Sequence, residues 1–143
     1  MELCGIMFCF DFRLKNPNMS SPLTLAFVGD AIWEIYVRSR IIEEYPDMPV
    51  NKLHRNAVKF VKADRQCIAL KALMDILSED EMSAYRRGRN ANPHTVAKHA
   101  SVSDYRHATG FEALLGYVYM KNNAERLNEL MEKAYNAVIE MTE

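Results

Sequence analysis

Between Ser20 and Pro49 the sequence carries a helical stretch with almost no polar face. Leu23, Phe27, Val28, Ala31, Ile32, Ile35, Tyr36 and Val37 wrap most of the cylinder, the pattern of a helix enclosed by others. Ser20 and Ser21 supply a cap, Pro22 preorganises the first turn, and Pro46 and Pro49 stop the helix near Tyr45. A chain with such a segment must build further helices around it, so Leu23 to Tyr45 is expected to be the central helix.

The rest of the sequence provides them. A second helix begins near Val50 and Asn51, with Leu53, Ala57, Val58, Phe60 and Val61 expected to be buried, and a third runs through Ile68, Leu70, Leu73 and Leu77. Ser78 and Glu81 have capping-box spacing, so a fourth helix starts at Glu79 and frays near Arg87 or Gly88. A long connection follows from about Arg89 to Ser103, a length that is usually functional or mobile. The fifth helix restarts near Asp104 and carries Phe111, Leu114, Leu115, Val118 and Met120. The sixth follows Asn122 and Asn123 and carries Leu127, Leu130, Met131, Ala134 and Val138. No hairpin signal occurs, so the expected class is all-α with about six or seven helices. Trp33, Tyr36, Phe60 and Tyr85 are left open between core and interface.

With 143 residues, 49% of them hydrophobic, one domain can bury a real core. Residues 19–143 are read as that domain and residues 1–18 as an N-terminal extension of unassigned role. No apolar run approaches the roughly 20 residues that span a bilayer, so no membrane partner is expected. The short run Leu3 to Phe10 lacks both a basic start and a cleavage site. Cys4, Cys9 and Cys67 are an odd number without CxxC spacing, as reduced thiols in the cytoplasm would be.

Two helices each set an acid beside an interior glycine: Phe27-Val28-Gly29-Asp30-Ala31 and Phe111-Glu112-Ala113-Leu114-Leu115-Gly116. A glycine there costs about 1 kcal/mol relative to alanine, which suggests close helix approach bringing Asp30 and Glu112 together. Two carboxylates pressed together repel unless a cation lies between them, and oxygen ligands favour a hard ion such as Mg²⁺. The alternative is that each acid is solvated or pairs with an arginine. Glu34, one turn after Asp30, is a further candidate ligand, and equally a partner for Arg38.

Net charge is −1, yet between Arg86 and His107 five cations (Arg86, Arg87, Arg89, Lys98, Arg106) face one acid, Asp104. His94, His99 and His107 lie in the same stretch, which suits a phosphodiester backbone; a solvated surface loop is the plainer alternative. Zinc is not indicated, because the histidines lack HExxH spacing and a cysteine companion.

Leu25-Ala26-Phe27-Val28-Gly29-Asp30-Ala31 resembles the signature helix of the ribonuclease III catalytic-domain family, and Thr109-Gly110-Phe111-Glu112-Ala113-Leu114-Leu115-Gly116 resembles its second acidic helix. Arg87-Gly88-Arg89-Asn90-Ala91, with Tyr105-Arg106-His107 leading into Phe111 to Tyr117, is similar to the Mini-ribonuclease III branch, which has no separate double-stranded RNA-binding domain. The resemblance extends from about Leu23 to Val138.

It implies an all-α, Mg²⁺-dependent endoribonuclease that acts as a homodimer on double-stranded RNA. It also implies a role in maturing the precursor of large-subunit ribosomal RNA in the cytoplasm, with a ribosomal protein as potential helper. Carried over residue by residue, Asp30 and Glu112 are the catalytic metal ligands, Arg87, Arg89, Asn90, Lys98 and Arg106 contact RNA, and Gly29, Thr109 and Gly116 support the site. Where full-length relatives carry two more acids, this sequence has Ala26 and Thr109, and Thr109 is expected to hold a metal-bound water. Those departures also motivate a competing expectation, an inactive module of the same fold that binds RNA or protein.

Overall fold

Six α-helices and one 3-10 turn make up the computed structural model over the residues it describes, 16–91 and 101–142, with no strand among them. After the turn Pro17–Met19 come α1 (Pro22–Glu44), α2 (Val50–Val61), α3 (Ala63–Lys71), α4 (Glu79–Asn90), α5 (Val102–Met120) and α6 (Ala124–Thr142).

The enclosed helix is α5, not α1. From Ala108 to Val118 every residue of α5 except Glu112 is buried, and α1, α3, α4 and α6 all pack on it. α1 buries Leu25, Ala26, Ile32, Trp33, Val37 and Ile41, but Phe27 is 84% exposed, and Leu23, Ile35 and Ile42 also face outward. Apolar residues around a whole helix are compatible with burial inside one chain or with one uncovered face, and the wheel cannot separate the two.

Aromatic contacts tie the helices together. The Trp33 ring meets Phe111 edge-on at 5.0 Å and its Nε1 donates to the Phe60 carbonyl at 3.0 Å, while Phe60 stacks on Tyr135 at 4.3 Å. This chain links α1, α2, α5 and α6, and each such pair contributes about 0.5–1.5 kcal/mol beyond area burial. Trp33, Phe60 and Tyr85 belong to the core, and Tyr36 is half-buried against it.

α4 starts as its capping box dictates. The Ser78 hydroxyl accepts from the Glu81 N–H at 3.2 Å, and the Glu81 carboxylate accepts from the Ser78 N–H at 2.9 Å. Arg126 of α6 donates to both Glu81 oxygens, at 2.8 and 2.9 Å, and to the Ile76 carbonyl at 2.7 Å. At the other end α4 runs on to Asn90, and α5 begins at Val102 with Ser101 as its cap, so the connection is shorter than expected. α3 is shorter too, ending at Lys71; Leu73 is buried from the turn that follows. Val58, expected inside, is 42% exposed because Ala57 and Phe60 turn α2's core face away from it.

Candidate active site

α1 and α5 cross backbone to backbone. A Cβ added at Gly29 would lie 1.8 Å from the Glu112 carbonyl oxygen, and one added at Gly116 would lie 1.9 Å from the Leu25 carbonyl oxygen. No other residue fits at either position. The two glycines that weaken their helices are what lets the axes approach, and Asp30 and Glu112 flank that crossing.

Asp30 is the acidic neighbour of the Glu112 carboxyl. Glu112 is half-buried, and its pKa is pushed up to about 9, first by burial, then by the hydrogen bond to Asp30 and the Asp30 charge. Asp30 itself is exposed, so the pair opens to solvent on one side. An oxygen-only pair that holds a proton for want of compensating charge, and that is reachable from outside, fits a divalent cation such as Mg²⁺. Mg²⁺ commonly takes one or two carboxylates and completes its shell with water and substrate phosphate.

Glu34 does not join them. Its carboxylate accepts from the Arg38 guanidinium at 2.6 Å, and among the described residues no group of three or more His, Cys, Asp or Glu is arranged to hold a metal. Thr109 is buried and its hydroxyl donates to the Tyr105 carbonyl at 3.0 Å, the back-bonding common for threonine within a helix, so its proton is committed to α5's own backbone. Ala26, at the other departure from the four-acid pattern, is buried in the core.

The basic residues divide. The Arg87 guanidinium donates to the carbonyls of Asn18 at 3.0 Å and Ser20 at 2.5 Å, fastening the chain that leads into α1. Ser21, by contrast, makes no side-chain cap. Arg89 lies over the Tyr85 ring at 5.4 Å and its Nε donates to the Asn90 side chain at 3.1 Å. Arg106 is exposed. Lys98, with His94 and His99, lies outside the described residues, as do Cys4 and Cys9; Cys67 is a buried free thiol whose pKa burial raises.

A second close contact went unread in the sequence. A Cβ at Gly88 would lie 2.6 Å from the Ala113 Cβ, so the end of α4 is pressed onto α5 at the residue that follows Glu112. The signal was the glycine of Arg87-Gly88-Arg89, another one inside a helix.

The sequence matches the Ribonuclease III domain family over residues 23–123, a span that contains both carboxyls and both glycines of the crossing. The chain belongs to the ribonuclease III family. A Mini-ribonuclease 3 from Clostridium tetani is 44% identical over 126 residues, covering 88% of this chain and 83% of that one. A Mini-ribonuclease 3 from Enterococcus faecalis is 45% identical over 132 residues, covering 91% and 99%. A crystal structure of a protein from Fusobacterium nucleatum superposes with a TM-score of 0.74 at 27% identity, over 80% of this chain and 94% of that one. As a member of the ribonuclease III family the chain is an endoribonuclease, with the all-α fold read from its sequence.

Proposed function

We propose that this ribonuclease III-family enzyme hydrolyses phosphodiester bonds in double-stranded RNA with Mg²⁺ held by Asp30 and Glu112, the observation that carries the reading being the carboxyl pair at the glycine crossing. When bound, such a cation lowers the pKa of a water and neutralises charge on the leaving oxygen. Asp30, on the open side, and Glu112, anchored beside the Gly29 backbone, fix where the cation lies relative to the fold. Asp30 and Glu112 would hold the cation through their carboxylate oxygens, for which Glu112 would have to be ionised. Arg89, Asn90, Arg106 and Lys98 hold phosphates and thereby set the duplex against the pair. Such contacts are largely independent of base sequence, since the major groove of A-form RNA is too deep and narrow to be read.

The enzyme acts as a homodimer. Leu23, Phe27, Ile35 and Ile42 face outward along α1, continued by a cavity of about 120 Å³ lined by Ile41, Ile42, Val50, Leu53 and Ala57, with Arg38 and His54 also in its lining. A two-fold axis through the middle of α1 sets the projecting Phe27 end of one stripe against the cavity end of the other, the self-complementarity an isologous interface requires. The precursor of large-subunit ribosomal RNA is the substrate proposed, in the cytoplasm, with residues 19–143 as the catalytic unit; the resemblance to Mini-ribonuclease III supports this. No described helix is long and apolar enough to cross a membrane.

The test is cleavage of a long RNA duplex. Asp30→Asn and Glu112→Gln are each expected to abolish Mg²⁺-dependent cutting while leaving duplex binding in place. Cutting that survives either change contradicts the assignment, and binding by the unmodified protein without any cutting selects an inactive RNA-binding module.

A further inference from the structure

We infer that the outer face of α2 is a second phosphate-binding surface, a ridge of Lys52, Arg55, Lys59 and Lys62 that takes the backbone of the same RNA duplex. This rests on the proposed action on double-stranded RNA and extends it to an element that carries none of the residues proposed to hold the cation or the RNA.

The ridge follows from spacing. Lys52, Arg55 and Lys59 stand at intervals of three and four residues, which returns each to one side of α2, Lys62 caps its end, and all four are exposed. Leu53, Ala57 and Phe60 occupy the opposite side and pack on the core. At 1.5 Å per residue the ridge is about 15 Å long, enough to follow several phosphates along one strand.

Charge makes it more than a solvated face. From Val50 to Lys62 there is no Asp or Glu, and no ion pair joins any of the four cations to a described residue. Arg38, Arg65, Arg126 and Lys133, by contrast, each meet an acid. Like charges three and four residues apart repel along a helix, and within α2 only Lys59 stands in the last turn, where the helix dipole favours it. A row of unpaired cations on one helix suits a polyanion outside the chain. Its linear, side-chain-only character, with no aromatic residue on the ridge to stack a base, fits a duplex backbone rather than unpaired bases.

The experiment compares the full chain with a Lys52→Gln/Arg55→Gln/Lys59→Gln variant and with a Lys71→Gln/Lys121→Gln/Lys133→Gln variant that removes equal charge elsewhere. Binding of a labelled RNA duplex of 30 base pairs is followed against salt with chelator present, and cleavage is followed with Mg²⁺. The ridge variant is expected to melt no lower than the parent, to bind about tenfold or more weaker at 0.15 M salt, and to show a salt slope smaller by about two to three units. With Mg²⁺ its KM should rise more than its kcat falls. An unchanged slope in the ridge variant, or an equal loss in the control variant, overturns the ridge while leaving the nuclease reading intact. A parent that neither binds nor cuts the duplex removes both.

Discussion

At the scale of single residues, the site depends on two glycines and one proton. Gly→Ala inside a helix ordinarily stabilises by up to about 1 kcal/mol, but at Gly29 and Gly116 the added methyl would collide with carbonyl oxygens of the facing helix. Gly29→Ala and Gly116→Ala are therefore expected to destabilise by about 3 kcal/mol or more, read as a lowered urea midpoint, because helix backbones cannot yield as side chains do. A gain in stability at either position would refute the crossing. Glu112 offers a test with the opposite sign. Its carboxyl is raised from 4.5 to about 9 on folding, so the neutral form is the one the fold favours. That contribution is fully present below about pH 4.5 and is lost as pH rises towards 9. In metal-free protein, Glu112→Gln should raise the melting temperature at pH 8 to 9, change it little at pH 5, and abolish cleavage at every pH. Melting curves of both proteins across that range, with chelator present, check it.

Among the elements, what depended on neighbours in sequence was legible and what depended on other helices was not. The α4 capping box lies within four consecutive residues, and Ser78 and Glu81 form it as read. The glycine beside each acid marked the α1/α5 crossing, because a residue that weakens its own helix asks for a reason elsewhere. The exposure of Phe27 and Val58 was hidden, since both sit in apolar surroundings and only the placement of the other helices decides which side is covered. The partners of Arg87 were hidden for a different reason: they are the carbonyls of Asn18 and Ser20, and a backbone acceptor leaves no trace in residue type. Arg126 was overlooked likewise, although it joins α6 to the start of α4. Its hydrogen bonds, foremost among the causes, hold the Glu81 carboxyl below its usual range. The bridge therefore stabilises at and above neutral pH and is lost as pH falls below 4.5 through the depressed value. Arg126→Met is expected to cost about 1–3 kcal/mol at pH 7 by stranding Glu81, and much less at pH 3. Chemical denaturation at the two pH values measures the difference.

Over the whole molecule, charge and apolar surface are sorted onto separate faces. The acids Glu125, Glu129, Glu132 and Glu140 line an open groove along α6, whereas the unpaired cations of α2 lie on another helix. The α1 stripe is neither: it is apolar, and it runs past the carboxyl pair, with Phe27 three residues before Asp30 and Ile35 five after. In the proposed homodimer a second copy seated on this stripe would cover apolar surface and bring a second carboxyl pair to the same assembly, one for each strand of a duplex. Binding and chemistry then depend on pairing in different ways. A charged residue at the projecting end, Phe27→Asp, together with Ile35→Asp, leaves the core untouched because both side chains face outward, so the monomer should fold with unchanged helix content. It is expected to sediment as one chain of about half the parent's mass, to lose double-strand cleavage, and to retain weak, salt-sensitive attraction to the duplex through the cations it still carries. Sedimentation velocity and duplex cleavage on the same sample decide the matter: a parent that already sediments as a monomer, or a monomeric variant that still cuts both strands, would show that the apolar stripe serves something other than pairing.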